Sequence, residues 1–199
     1  MKRIVIGLVA IALVALVPIS QAITPTQPNV PFVGMTLVYA ALRGDQAETR
    51  VVNVLFYNAT TNTVIVRDSE PGWLGTMQIN VASREIMWYS GTCPDCGSEI
   101  YAEYWIPKNV RMGSHVSILN FDAVVVGSTT LTVSGKTVSA WQLQAVYVDH
   151  EQGRVIQDTW YYAKSNGVWV AASFVIIDAN DGHTVYQSWG GTLVGTNAL

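Results

Sequence analysis

Residues 122–195 read DAVVVGSTTLTVSGKTVSAWQLQAVYVDHEQGRVIQDTWYYAKSNGVWVAASFVIIDANDGHTVYQSWGGTLVG, and this stretch decides the fold. It divides into five long apolar-rich runs: Asp122 to Val133, Thr137 to Asp149, Arg154 to Ala163, Val168 to Asp178 and His183 to Gly195. The breaks between them are Ser134-Gly135-Lys136, His150-Glu151-Gln152-Gly153, Lys164-Ser165-Asn166-Gly167 and Ala179-Asn180-Asp181-Gly182. Each break holds a glycine among short polar residues, which supply positive φ and local hydrogen bonds. Turns this short join only antiparallel neighbours, so the stretch predicts a five-stranded meander.

Alternation along the runs predicts what they pack against. Trp141, Leu143, Ala145 and Tyr147 fall on one face of their strand and form its drier side. In Val168 to Ile177 both faces are apolar, which predicts cover on both sides. The expected fold is all-β: an antiparallel meander forming a strongly curved sheet, an open barrel or a two-layer sandwich.

Upstream, shorter strands are expected over Met35 to Leu42, Thr49 to Tyr57, Thr63 to Arg67, Leu74 to Val81, Glu85 to Tyr89, Glu99 to Ile106 and His115 to Leu119. Pro107 ends the sixth of these by removing a donor and restricting Ile106. No helical periodicity appears beyond the first residues.

The start of the chain has a different character. Lys2 and Arg3 precede an apolar run from Ile4 to Val17, and Ser20-Gln21-Ala22 follows. This is the pattern of a secretory signal peptide, residues 1–22, with an uncleaved anchor as the alternative. Residues 23–32 carry prolines among Thr, Gln and Asn and read as an extended linker. Residues 33–197 are then one all-β domain, large enough for a sizeable core. Without Lys2 and Arg3, 14 acidic residues face nine basic ones, and charged residues are 13% of the chain. A mildly acidic surface without a Lys/Arg cluster excludes the usual nucleic-acid binders, and leaves membrane contact only to a retained anchor.

Cys93-Pro94-Asp95-Cys96 occupies an expected hairpin tip, and Pro-Asp suits the centre of a type I turn that brings Cys93 and Cys96 within disulfide range. In an exported chain the pair is expected to be oxidised. Its loop is tiny, so it contributes at most about 2 kcal/mol. Zinc needs two more ligands, and hairpin alternation puts His150 and His183 at the same end of the sheet as the cysteines. Calcium at Asp178-Ala179-Asn180-Asp181-Gly182 is weaker, because Gly182 stands where a ligand is needed. No metal or cofactor is assigned. Asn58-Ala59-Thr60 fits the glycosylation acceptor pattern in an expected turn.

Nothing matches a nucleophile elbow, a phosphate loop, a dinucleotide fingerprint or a metalloprotease helix, and the chain reads as non-catalytic. Asp149-His150-Glu151 reads as solvated turn residues. Glu103, beside Tyr101 and Trp105, reads as a buried carboxylate without a sequence-identifiable partner. Seven tryptophans and nine tyrosines, as in Trp88-Tyr89, Tyr104-Trp105 and Trp160-Tyr161-Tyr162, serve as core pairs or as the wall of a ligand cavity.

Tyr104-Trp105-Ile106-Pro107-Lys108-Asn109-Val110-Arg111-Met112-Gly113, with Trp160-Tyr161-Tyr162, Ser165-Asn166-Gly167-Val168, an opening Gly34 to Tyr39 and a closing Thr196-Asn197, carries a resemblance. It is similar to a group of archaeal secreted and cell-surface β-meander modules, over most of residues 33–197. The chain departs from that group at Ala163, where Asp is frequent, and at Asn166, where Thr is frequent. In outline the layout also resembles bacterial lipoprotein carriers, whose curved sheet holds an acyl chain around helices that this chain lacks. The resemblance implies an extracytoplasmic, non-catalytic module and names no ligand. The chain is read as an exported binding or structural module at or outside the cell surface, its partner an apolar ligand or a surface protein. A lipid carrier and a filament or coat subunit are the alternatives.

Overall fold

The computed structural model describes residues 30–43, 46–92 and 99–199. Eleven strands form a single antiparallel sheet: β1 (Thr36–Arg43), β2 (Gln46–Asn58), β3 (Thr63–Glu70), β4 (Trp73–Asn80), β5 (Ile86–Gly91), β6 (His115–Ile118), β7 (Phe121–Val133), β8 (Lys136–Asp149), β9 (Arg154–Ala163), β10 (Trp169–Asp178) and β11 (Val185–Thr196). Their spatial order is β5-β4-β3-β2-β1-β11-β10-β9-β8-β7-β6. All-β architecture and a meander are therefore both present, and no described residue is helical. The turns use the expected chemistry: Ser134 and Gly135 both take positive φ, as the tightest hairpin connection requires.

Two meanders make up the sheet, β1 to β5 and β6 to β11, and pairing of β1 with β11 joins them. Asn197 secures that seam from outside the strands. Its Oδ1 accepts from the Thr36 amide and its Nδ2 donates to the Gly34 carbonyl, each at 2.9 Å. The inward residues of β1, Met35 before it and then Leu37, Tyr39 and Ala41, are all buried. Tyr39 packs on Trp169 with ring centroids 4.2 Å apart. Full burial of each such side chain contributes roughly 1.5–3 kcal/mol, so the seam anchors the fold.

The sheet curves without closing, and β5 and β6 are its edges. The chain between them supplies what fills the hollow. Glu99 to Ile106, expected as a strand, instead makes isolated bridges to different elements: Tyr101 to Glu85 and Leu119, and Trp105 to Val168. The reason is burial on every side. Ala102, Glu103, Tyr104, Trp105 and Ile106 are consecutively buried, which a half-covered strand does not allow. Their backbone groups find partners across the hollow, with Ala102 N donating to Arg84 O and Tyr162 Oη to Glu103 O, both at 2.8 Å. Buried Arg84 adds bonds to the Ser117 and Ala102 carbonyls at 2.6 and 3.3 Å.

β10 departs from expectation too. Trp169 to Ala172 are buried, but Ser173 to Asp178 are not. Cover on both sides, inferred from the apolar pattern, holds only for the first half. Among the described residues the backbone of the crossing segment pairs with β10 only at its start, where Trp169 N donates to Tyr104 O at 3.0 Å. Strands of 13 or 14 residues span roughly 45 Å and outrun that cover. On β8, Leu143 and Ala145 are buried as the drier face predicts, whereas Tyr147 is exposed.

Candidate functional site

Inside the hollow the inner faces of several strands carry charges where apolar residues are expected. On β2 the face of Val52 and Val54 continues to Arg50, and on β3 the face of Val64 and Val66 continues to Asp68 and Glu70. On β9 the face of Trp160 and Tyr162 continues to Asp158. Glu103 arrives from the crossing segment. These residues are 108 positions apart at the extremes and meet only because the sheet curves.

Arg50 organises one side of this cluster. Its Nε lies 3.0 Å from both carboxylate oxygens of Asp68, its Nη2 lies 2.5 Å from Asp68 Oδ2, and its Nη1 lies 2.7 Å from Glu103 Oε1. Tyr104 Oη donates to the same Asp68 Oδ2 at 2.7 Å. The guanidinium also sits 5.3 Å from the Trp169 ring centroid and 5.7 Å from that of Tyr104. Burial works against the Arg50 charge, but Asp68 and Glu103 outweigh it and hold the group above its ordinary pKa. Glu103, read from sequence as a buried carboxylate lacking a partner, thus has one on β2.

Beside this cluster is a cavity of about 320 Å³. Trp73, Tyr89, Tyr104, Trp160 and Phe174 form its aromatic wall, and Trp73 Nε1 donates to Tyr89 Oη at 3.1 Å. Asp158 and Glu99 face the same space. Asp158 is only 9% exposed, and its Oδ2 has no hydrogen-bond partner. Burial, and then repulsion from Glu103, raise its pKa to about 7. Glu99 is also raised to about 7, by burial first and then Glu103, with Arg50 opposing. Both groups therefore sit near the midpoint of ionisation at neutral pH.

The other sequence candidates are elsewhere. Cys93 and Cys96 lie outside the described residues. Asn58 ends β2, where its Oδ1 accepts from Thr60 N at 3.0 Å and caps the turn. The turns carrying His150 and His183 do adjoin, since Ala179 N donates to Gly153 O at 2.8 Å. Both histidines are exposed, and among the described residues no group of three or more His, Cys, Asp or Glu is arranged to hold a metal. Asp149 Oδ1 accepts from the Glu151 and Gln152 amides, so the Asp149-His150-Glu151 run builds its turn. Asp178 and Asp181 do the same for theirs.

Fold and site together define an open, curved all-β meander with a charged, aromatic-lined hollow. No family model matches the chain, and no curated protein matches it. Among solved structures it is similar to a protein from Parabacteroides distasonis provisionally described as a lipoprotein. The two share 12% identity with a TM-score of 0.38, over 83% of this chain and 96% of the other.

Proposed function

We propose that the protein is an exported, extracytoplasmic and non-catalytic binding module that takes one small ligand into the hollow of its sheet. One observation carries this reading: a cavity of ligand size whose wall includes a buried carboxylate oxygen with nothing bonded to it. Export rests on the signal-peptide pattern of residues 1–22. The acidic lining favours a polar ligand over the acyl chain of a lipid carrier, because hydrocarbon would strip the carboxylates of solvation and return no hydrogen bond. A coat or filament subunit draws on a different feature, edge strand β5, where Met87 and Trp88 are more than half exposed.

Native mass spectrometry of protein purified from its own producing cells, paired with a denatured spectrum, tests the reading. The expected result is a monomer lacking residues 1–22 with one small adduct that denaturation removes. A bare monomer overturns it, an adduct with the mass of a lipid moves the carrier forward, and a ladder of multiples favours the subunit.

A further inference from the structure

The cavity is unevenly charged. Arg50 is the one cation among its described lining residues, and its guanidinium is already divided between Asp68 and Glu103. Among the described residues Asp158 Oδ2 has no partner, and Arg50 only partly offsets the effect of burial and Glu103 on Glu99. The groups around Asp158 explain why the fold does not supply one. Its sheet neighbours are Ala145 on β8 and Phe174 on β10, neither a donor. Tyr147 of β8 has its phenol pKa raised by burial and then by the Asp158 charge. The ionisable lining groups from β2, β3, β5 and the crossing segment are Arg50, Glu70, Tyr89, Glu99, Glu103 and Tyr104, with Asp68 paired to Arg50. A buried acceptor left open costs about 1–3 kcal/mol, more if it is charged. A ligand that donates there recovers that cost.

Three candidate chemistries separate on these observations. A neutral polyol supplies donors but leaves the acidic excess in place. A quaternary ammonium supplies charge and suits the aromatic wall but has no N–H for Asp158 Oδ2. A metal ion requires a converging ligand set, which the described residues do not offer. A primary ammonium supplies charge and donors together.

We propose that the hollow binds the protonated primary amine of a small organic molecule, its ammonium donating to Asp158 and Glu99 and its carbon skeleton lying against Trp160 and Phe174. This rests on the reading of the hollow as a ligand site. Opposite charge favours the ionised carboxylates, so uptake of the amine ionises both groups.

Isothermal titration calorimetry with hexylamine, hexan-1-ol and glucose tests the chemistry on the mature protein. Hexylamine is expected to bind one to one, and the two neutral probes at least about tenfold more weakly. Asp158→Asn is expected to weaken hexylamine by about tenfold or more while the near-ultraviolet circular dichroism is retained, and Glu99→Gln to weaken it less. Affinity should also fall about tenfold from roughly pH 8 to roughly pH 5.5, where the amine keeps its charge and the carboxylates lose theirs. Equal binding of hexan-1-ol, or an unchanged Asp158→Asn variant, overturns the proposal. Binding of glucose without hexylamine, or a neutral adduct on the native protein, overturns the amine and leaves the ligand site standing. No binding of any probe together with a bare native mass overturns both.

Discussion

Asp68 on β3 and Asp158 on β9 point into the same hollow from opposite sides of the sheet, and both are almost completely removed from water. Around Asp68 every acceptor is engaged, by the Arg50 guanidinium and the Tyr104 hydroxyl. Around Asp158 one oxygen is open, and the carboxyl holds its proton up to about pH 7. The difference lies in which strand faces each residue. β3 is register-paired with β2, which brings Arg50 alongside, while β9 lies between β8 and β10, which offer Ala145 and Phe174. A buried charge can be a finished structural part or an unfinished one, and the second kind marks a binding site.

Removing the cation should produce the largest effect. Arg50→Met leaves Asp68 and Glu103 buried without their partner and is expected to cost about 3–5 kcal/mol, lowering the thermal midpoint by roughly 10 °C or more. A midpoint shift of only about 2 °C would mean that the pair is not a structural part. Next come the two aspartates under one substitution. Asp68→Asn should destabilise by about 2–3 kcal/mol, because it weakens charge-assisted bonds to Arg50. Asp158→Asn should have the opposite sign at about pH 8. The Asp158 pKa is raised on folding, so the native state binds the proton more tightly, and stability declines as pH rises from the unfolded value near 3.8 to the folded value of about 7. Melting curves of the variant should accordingly show a higher midpoint than wild type at about pH 8 and the same midpoint below about pH 4. If both aspartates respond alike, the contrast between them fails.

Tyr104→Phe removes a single bond to Asp68 at 2.7 Å and should cost about 1.5–3 kcal/mol by urea denaturation, with the slope of the transition unchanged. The smallest change is expected outside the hollow. Val148 and Val185 lie at the exposed ends of β8 and β11, and Val148→Thr or Val185→Thr should shift stability by no more than about 0.5 kcal/mol. A large loss there would show that the projecting ends are covered in the protein as it exists in solution.

Much of the site is written in the period-2 pattern of the strands. Asp68 continues the face of Val64 and Val66, Asp158 the face of Trp160 and Tyr162, and Arg50 the face of Val52 and Val54. A charge at the end of an apolar face reads equally as the point where the strand leaves the core, so alternation by itself does not separate the two meanings. Glu103 stood out because aromatic residues flank it on both sides in sequence.

Strand positions, turn chemistry and the antiparallel sense of each hairpin follow from local sequence, because turns of a few residues and alternation of side chains are short-range constraints. The pairing of β1 with β11, the gap between β5 and β6, and the passage of residues 99–106 through the hollow were decided by tertiary structure. Each satisfies backbone groups and buries apolar surface between residues far apart in the chain, and no local pattern encodes which distant partner does so. The same holds for the two acids. Their identity and inward direction are local facts, but the company of Arg50 for one and of an open cavity for the other is set by the curvature of the whole sheet.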